Sequence, residues 1–164
     1  RRHRECPVIV ALPNIIEGKE LQEKSNEICN GQCKVELLDQ VQKVIDTLKD
    51  DPSRRSCVMH TWYPLRDLEK FGPRAKTSSP CLVTMQPQII EGKLHMIATM
   101  KTNDLYSAWP LYAFAFTELQ KYIAKEVGVE TGSYTHFSVS MQIYEEMFEM
   151  AQELVDNPIL TVKK

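Results

Sequence analysis

A cysteine that directly follows a proline is the first candidate for chemistry in this sequence. Cys81 comes after Pro80 and opens the apolar, β-prone residues 82–85. Because proline has a fixed φ and no backbone donor, it is typical of the first position of a strand. The cysteine side chain would then lie at the edge of a sheet, where a thiolate can be accessible and act as a nucleophile. The alternative interpretation is a small buried hydrophobic residue.

An arginine pair is the second candidate. Arg54 and Arg55 precede residues 56–62, where alternate side chains such as Val58 and His60 share one face, a pattern that predicts a strand. We expect both guanidinium groups to point outward from the entrance of this strand. Such a pair matches the oxygens of a dianionic phosphate. The alternative is a solvated pair of surface charges.

A polar segment, Lys101-Thr102-Asn103-Asp104, is the third candidate. It closes a predicted strand and precedes a predicted helix, which makes it a good place for ligand contacts. The alternative is a helix-capping region in which Asp104 or Ser107 is the N-cap.

Composition bounds the class of protein. The chain has 164 residues, of which 43% are hydrophobic and 26% charged, so residues 1–164 are expected to form one globular domain. A net charge of -2 gives no reason to expect a nucleic-acid partner, and no apolar run is long enough to cross a membrane. Five cysteines, an odd number, do not form a disulfide scaffold and favour a reducing cytoplasm. Cys29 and Cys33 lack a second matching pair, so no metal site is expected.

The apolar pattern predicts the elements that position these residues. An amphipathic helix runs from Val35 to Asp50, and a hairpin follows later, with Glu91-Gly92 at its turn and Pro87 marking a bulge or an edge. The other predicted elements are a strand at 6–12, loops at 13–34 and 64–79, hairpin strands at 82–90 and 93–100, a central apolar helix at 108–126, a strand at 135–143 and a helix at 144–155. The fold class is therefore α/β, a mixed α+β domain with one sheet covered by helices.

From about residue 35 to residue 164, the ordered motifs resemble the thymidylate synthase family. They are Asp51-Pro52-Ser53-Arg54-Arg55, Trp62-Tyr63-Pro64, Pro80-Cys81, Glu91-Gly92-Lys93-Leu94, Lys101-Thr102-Asn103-Asp104 and Gln142-Ile143-Tyr144. The resemblance implies that family's fold, a mixed sheet covered by helices.

The resemblance also implies roles for individual residues. Cys81 resembles the nucleophile that adds to C6 of a pyrimidine, and Asp104 the carboxylate that contacts a reduced pterin. Arg54 and Arg55 resemble the pair that binds the nucleotide phosphate from a neighbouring subunit, which implies a homodimer. Tyr144 resembles the tyrosine that binds the deoxyribose hydroxyl.

Several positions depart from the family pattern. Lys101 and Thr102 stand where the family has a phosphate-binding Arg and a Ser, and Tyr112 replaces the Asn that reads the base. In the same comparison, Leu82 and Gln142 stand where His is common or expected, and Ser140 lies near the family's Asp. The family's N-terminal part, with a catalytic Glu and another Arg, has no recognisable counterpart here. The sequence begins with Arg, so we expect either a longer protein or a divergent branch.

The function implied by the resemblance is C5 methylation of dUMP to dTMP, with a methylene-carrying reduced folate or related reduced pterin as carrier. One alternative is a pyrimidine-nucleotide hydroxymethylase acting on dCMP or CMP, and Tyr112 does not decide between uracil and cytosine. A second alternative, from another class, is a non-catalytic nucleotide-binding relative, since a shared fold does not fix activity.

Overall fold

The computed structural model describes residues 39–62, 67–68, 70–72 and 79–158. The predicted strand at 6–12, the predicted loop at 13–34 and Cys29 and Cys33 lie outside these residues. The described elements are α1 (Gln40–Asp50), β1 (Met59–His60), β2 (Leu82–Ile90), β3 (Lys93–Met100), β4 (Asn103–Asp104), α2 (Trp109–Val127), β5 (Glu130–Ser138), β6 (Met141–Gln142), a 3₁₀ turn (Glu145–Met147) and α3 (Phe148–Asp156).

Four strands form the main sheet in the order β1-β2-β3-β5. Strands β2 and β3 are the predicted antiparallel hairpin, and their bounds are confirmed. The turn residues Glu91 and Gly92 have φ angles of 51° and 74°, the left-handed pair that a two-residue hairpin turn favours. Strand β5 pairs with β3 in parallel, so the chain must cross over between them, and α2 makes this crossover.

The sequence prediction at Pro87 is half right. The register of β2 against β3 shifts between Leu82 and Thr84, whereas Pro87 lies in regular register opposite Met96, so a bulge at Pro87 is wrong. The edge prediction is confirmed, because β1 pairs only with Thr84 and Met85. Beyond Met85, β2 has no other strand on that side within the described part of the chain. Proline has no backbone N–H to donate, and on this unpaired side of β2 its absence removes no hydrogen bond between strands.

The core lies between one face of the sheet and helices α1 and α2. Alternate residues of β3 point into it, and Leu94 and Met96 are fully buried there. They belong to one apolar cluster together with Leu48 of α1 and Ile123 and Ala124 of α2. The predicted mixed sheet with helices on it is therefore confirmed.

A buried glutamine supports the parallel pairing from inside this core. Gln120 of α2 donates its Nε2 to the carbonyl of Leu94, at 2.7 Å, and to the carbonyl of Ser133, at 3.0 Å. The contact lies where the register of β3 against β5 shifts, between Leu94 and Met96. A buried amide without such partners would be destabilising, so this contact fixes α2 over a defined point of both strands.

The helix ends follow local capping signals. Helix α1 begins at Gln40, where the Asp39 side chain accepts a hydrogen bond from the backbone N–H of Gln42 at 3.0 Å. Residues 35–38 of the predicted helix lie outside the described residues. Helix α2 ends at Gly128, whose φ of 86° is the left-handed conformation of a helix C-cap.

Other predicted elements were also wrong in their bounds. The strand predicted at 56–62 covers only Met59–His60. The strand predicted at 135–143 begins earlier, at Glu130, because that residue already pairs with Lys93, and it breaks after Ser138 before resuming as β6. The helix predicted at 144–155 opens with the 3₁₀ turn, so its α-helical part is α3. Residues 67, 68 and 70 are helical, although residues 64–79 were predicted as loop.

The long helix α2 is central over only part of its length. Its second half is buried at Ile123 and Ala124, whereas Leu111 and Phe114 in its first half are 70% and 68% exposed. The prediction of a wholly central helix is therefore wrong for the first half. Among the described helices, none is both long and apolar enough to span a bilayer.

Truncation of a core leucine tests this packing. Leu48→Ala should lower the free energy of unfolding by about 2–5 kcal/mol, because the fully buried side chain leaves a cavity. The matched control is Leu111→Ala, because Leu111 is exposed. This substitution should change the free energy of unfolding by no more than about 0.5 kcal/mol. Urea denaturation of both variants measures the difference, and equal losses would contradict this placement of the core.

Candidate active site

Cys81 lies directly before β2 and is half-buried. Its carbonyl accepts a hydrogen bond from the backbone N–H of Lys101 at 2.9 Å. The structure thus brings the main chains of Cys81 and Lys101 together where β2 begins and β3 ends. The other described cysteine, Cys57, is buried in the core, and burial raises the pKa of its thiol. Of these two cysteines, Cys81 is the better candidate nucleophile.

The segment after Lys101 forms a second small sheet. Strands β4 and β6 pair in parallel, with Asn103 beside Met141 and Asp104 beside Gln142. Leu105 continues the pairing by donating its N–H to the carbonyl of Gln142 at 2.8 Å. This pairing places Asp104 close in the fold to the segment that leads to Tyr144, which is 50% exposed.

Asp104 organises the turn before α2 but does not cap the helix. Its Oδ1 accepts from the N–H groups of Tyr106, at 3.0 Å, and Ser107, at 3.3 Å. The N-cap of α2 is Ala108, which makes no side-chain capping bond, so the predicted cap at Asp104 or Ser107 is wrong. Within the described part of the chain, the second carboxylate oxygen of Asp104 makes no hydrogen bond and is available to a ligand.

The sequence analysis did not find a chain of hydrogen bonds between the side chains of Asn103, His136 and Tyr134, which we call the polar chain. Asn103 is only 2% exposed and donates its Nδ2 to Nε2 of His136 at 2.9 Å. The ring proton is then on Nδ1, which donates to the hydroxyl oxygen of Tyr134 at 2.7 Å. Burial lowers the pKa of His136 and raises the pKa of Tyr134 to about 12. Both groups therefore stay neutral near pH 7.

Stacked rings connect this chain to Tyr112. The ring of Phe116 lies between those of Tyr112 and His136, with centroid distances of 5.6 Å and 6.4 Å. Trp109 contacts the His136 ring edge-on at 6.3 Å. Two ring contacts thus link Tyr112 to His136. His136 in turn is hydrogen-bonded to Asn103, which precedes Asp104 in the chain. The sequence signal for the contact between Tyr134 and His136 was their spacing of two residues on one strand, because such side chains share one face.

The arginine pair lies beside the middle of β2. The carbonyl of Arg55 accepts a hydrogen bond from Nε2 of Gln86 at 3.3 Å. Gln86 is five residues beyond Cys81 on an extended chain, which corresponds to about 17 Å at the usual rise of a strand. Within one chain, the structure therefore does not bring the pair to Cys81.

Arg54 is not free, contrary to the expectation from the sequence. Its Nε forms an ion pair with Oδ2 of Asp51 at 3.2 Å. The other oxygen of Asp51 accepts hydrogen bonds from the backbone and side chain of Ser53, which lower the pKa of this carboxyl. Both arginines are exposed, as predicted.

Comparison with known proteins decides the family. Residues 16–163 match the family model described as thymidylate synthase. The chain belongs to the thymidylate synthase family.

Individual relatives agree with this assignment. Over 120 residues the chain is 35% identical to a protein of Methanothermobacter marburgensis named "Putative thymidylate synthase", covering 73% of this chain and 51% of that one. It is 34% identical over 120 residues to a deoxyuridylate hydroxymethyltransferase of Pseudomonas phage M6, covering 72% of this chain and 33% of that protein.

A solved structure supports the fold. The thermostable thymidylate synthase A of Bacillus subtilis superposes with a TM-score of 0.62 at 28% identity, covering 78% of this chain and 42% of that one. The chain spans about half the length of the first of these relatives. In the part of the chain that the structure describes, no group of three His, Cys, Asp or Glu side chains could hold a metal ion.

The half-buried imidazole of His136 predicts a pH dependence of stability. Because the pKa of His136 in the folded protein is below its ordinary value of 6.5, the unfolded chain takes up a proton first as the pH falls. This contribution to stability is complete above about pH 6.5 and is lost progressively below it. His136→Gln should therefore show a smaller loss of unfolding free energy between pH 7.5 and pH 5.5 than the parent protein.

Urea denaturation at the two pH values measures this difference. The exposed His60 provides the control, since His60→Gln also removes an imidazole but lies outside the polar chain. If parent and His136→Gln lose equal stability over this interval, the lowered pKa of His136 is refuted.

Proposed function

We propose that this chain methylates C5 of dUMP, using Cys81 as the nucleophile and a methylene-carrying reduced folate or a related reduced pterin as the carrier. The observation that carries this proposal is the half-buried Cys81 at the start of β2, with its carbonyl bonded to the backbone of Lys101. A thiol at the end of a strand, beside a cationic residue, suits reversible addition to a ring carbon.

The chemistry begins with the thiolate of Cys81. Its sulfur bonds to C6, and the electron pair of the C5–C6 double bond moves to C5 and onto the C4 carbonyl. C5 is then electron-rich enough to form a carbon–carbon bond with a one-carbon unit. Loss of the C5 proton and departure of the carrier would leave an exocyclic methylene on C5, and arrival of a hydride at that carbon would restore the ring double bond as the sulfur leaves C6. The thiolate is suited to both steps because it is a good nucleophile and a good leaving group.

The nucleotide would be bound by residues near Cys81 and on the second sheet. Lys101 would contact the phosphate as a point charge, and Thr102 would donate a hydroxyl bond to it. Tyr112 would contact the base from the first half of α2, and Tyr144 the sugar hydroxyl. The pairing of β4 with β6 supports this grouping, because it aligns residues 103–104 with the segment just before Tyr144.

Asp104 fits a reduced pterin in its chemistry. One carboxylate oxygen is held by two backbone N–H groups, and the second is available to accept from a ring or exocyclic N–H. A carboxylate oriented in this way would hold the carrier without reacting. When bound, the carrier supplies the one-carbon unit and, for methylation, the hydride that reduces it.

Hydroxymethylation of a pyrimidine nucleotide is the second candidate. It would use the same thiolate addition, but water rather than a hydride would complete the exocyclic carbon. The observation in its favour is the 34% identity to the phage deoxyuridylate hydroxymethyltransferase.

Trapping with a fluorinated nucleotide tests the proposal. Fluorine at C5 cannot leave as a proton does, so the bond from sulfur to C6 persists and mass spectrometry finds the nucleotide on the peptide that contains Cys81. We expect this adduct with 5-fluoro-dUMP and methylene-tetrahydrofolate, and with Cys57→Ala as the control. Cys81→Ser should lack it.

Two further results decide between the candidates. With dUMP itself, a 5-methyl product supports methylation and a 5-hydroxymethyl product supports the second candidate. Absence of any adduct with both 5-fluoro-dUMP and 5-fluoro-dCMP, under several reduced pterins, would leave a nucleotide-binding protein without this chemistry.

The proposed enzyme acts as a homodimer through the face of the sheet opposite to the core. On this face Ile97 and Phe137 are 48% and 56% exposed, which is unusual for large apolar residues of a central sheet. Gln86 lies directly opposite Ile97 in the ladder and also holds the carbonyl of Arg55. The arginine pair therefore lies beside this face and, in a symmetric pair, would extend to the other copy's Cys81.

Mixing two inactive variants tests the shared site. Cys81→Ser lacks the nucleophile, and a variant with both Arg54→Ala and Arg55→Ala should lose phosphate affinity by on the order of 1–3 kcal/mol for each charge-assisted contact. After mixing and exchange of subunits, each mixed dimer has one intact site. Activity at limiting dUMP should then recover to about a quarter of the parent value, since half of the dimers are mixed.

Unmixed variants are the control for this recovery. A mixture that stays as inactive as its components, although sedimentation shows that subunits have exchanged, would place both functions in one chain and contradict the shared site.

A further inference from the structure

Three consecutive carbonyls around Cys81 are each bonded to a different donor. The carbonyl of Pro80 accepts from the indole Nε1 of Trp62 at 2.9 Å. The carbonyl of Cys81 accepts from the N–H of Lys101, as described above. The carbonyl of Leu82 accepts from the side-chain hydroxyl of Thr61. The peptide groups on both sides of the cysteine are therefore fixed.

Two of these donors come from neighbouring residues of one segment. Thr61 and Trp62 directly follow β1, and the N–H of Thr61 extends the pairing of β1 with β2 by donating to the carbonyl of Val83 at 3.1 Å. Trp62 also packs against Phe71 with ring centroids 6.0 Å apart, which restrains the indole. The segment therefore contacts the cysteine main chain with two side chains whose own positions are restrained.

We infer that Thr61 and Trp62 are positioning residues, which fix the main chain of Cys81 so that its sulfur stays at one place for attack on the ring carbon. This inference rests on the proposed role of Cys81. The register of β2 against β3 shifts between Leu82 and Thr84, so the regular ladder alone does not fix the residues beside the cysteine. The two side chains supply the missing restraint.

The expected consequence is an effect on turnover rather than on nucleotide binding. A nucleophile displaced by about 1 Å can lose on the order of 100-fold in rate, because reaction requires a near-attack geometry. Neither side chain needs to touch the nucleotide, so the KM for dUMP should stay nearly constant. The positioning role thus predicts a low kcat at an unchanged KM.

Two substitutions remove one donor each. Thr61→Val keeps the shape of the side chain but lacks the hydroxyl, and Trp62→Phe keeps a ring but lacks the indole N–H. Each should lower kcat by about 10- to 100-fold while the KM for dUMP changes by less than about twofold. Each should also raise the hydrogen-exchange rate of the Lys101 amide, which reports on the middle bond of the three.

Matched variants separate positioning from general stability. Thr61→Ser restores the hydroxyl and should recover both kcat and amide protection. Thr47→Val removes a threonine hydroxyl that donates to the carbonyl of Lys43 at 2.7 Å, within α1 and away from Cys81. It should leave kcat and the Lys101 amide unchanged.

The inference is overturned if kcat stays within about twofold of the parent in both Thr61→Val and Trp62→Phe, or if Thr47→Val lowers it equally. If the parent itself forms no nucleotide adduct, the proposed function fails separately. The Lys101 amide then decides: faster exchange in Thr61→Val that Thr61→Ser reverses supports the restraint, and unchanged exchange refutes it.

Discussion

The parallel pairing of β3 with β5 is the constraint on which the described structure depends. A parallel pair cannot be closed by a tight turn, so it requires the crossover through α2 and thereby places that helix against the buried face of the sheet. The two chain segments remain parallel beyond β3 and β5, where β4 pairs with β6. Because Lys101 follows β3 and Tyr144 comes soon after β6, the alignment of the two strands also aligns the two ends of the candidate site.

The distribution of positive charge along β2 links the chemistry to association. Lys101 lies beside Cys81, whereas the arginine pair lies near Gln86, farther along the same strand. Among the described residues, Lys101 is thus the cationic residue whose main chain is bonded to that of Cys81, and the arginine pair lies elsewhere on the strand. In the proposed dimer this separation becomes useful, since each copy would contribute its arginines to the other.

Local signals explain most of what the sequence predicted correctly. The hairpin turn at Glu91-Gly92 depends on neighbouring residues and was predicted at the right position, and the predicted end of α2 at residue 126 is one residue short of the observed end. The placement of Cys81 directly before β2 followed from Pro80 in the same way. The ion pair of Arg54 with Asp51 was missed although its spacing of three residues was visible. That error came from treating the arginines without the acidic residues before them.

Contacts between distant segments explain the rest. Strand β5 starts at Glu130, in residues with little apolar alternation, because it pairs with a strand more than thirty residues earlier in the chain. The bond between Asn103 and His136 likewise joins residues 33 positions apart. No periodicity in either segment encodes such a partner. Nor does it indicate which of several histidines bonds to Asn103, so the site could be assembled only once the strand order was known.

The polar chain of Asn103, His136 and Tyr134 explains how the site is fixed in one arrangement beside an apolar core. Apolar packing is nearly indifferent to small shifts of one strand along another, whereas a hydrogen bond fails when its atoms separate by an ångström. Asn103 and His136 therefore define where β4 lies relative to β5, and the stacked rings transmit this position to Tyr112. Keeping the imidazole neutral matters to this task, because a protonated His136 would lose the ring acceptor that Asn103 requires. The order of the candidate site thus depends on a proton being absent from one ring nitrogen.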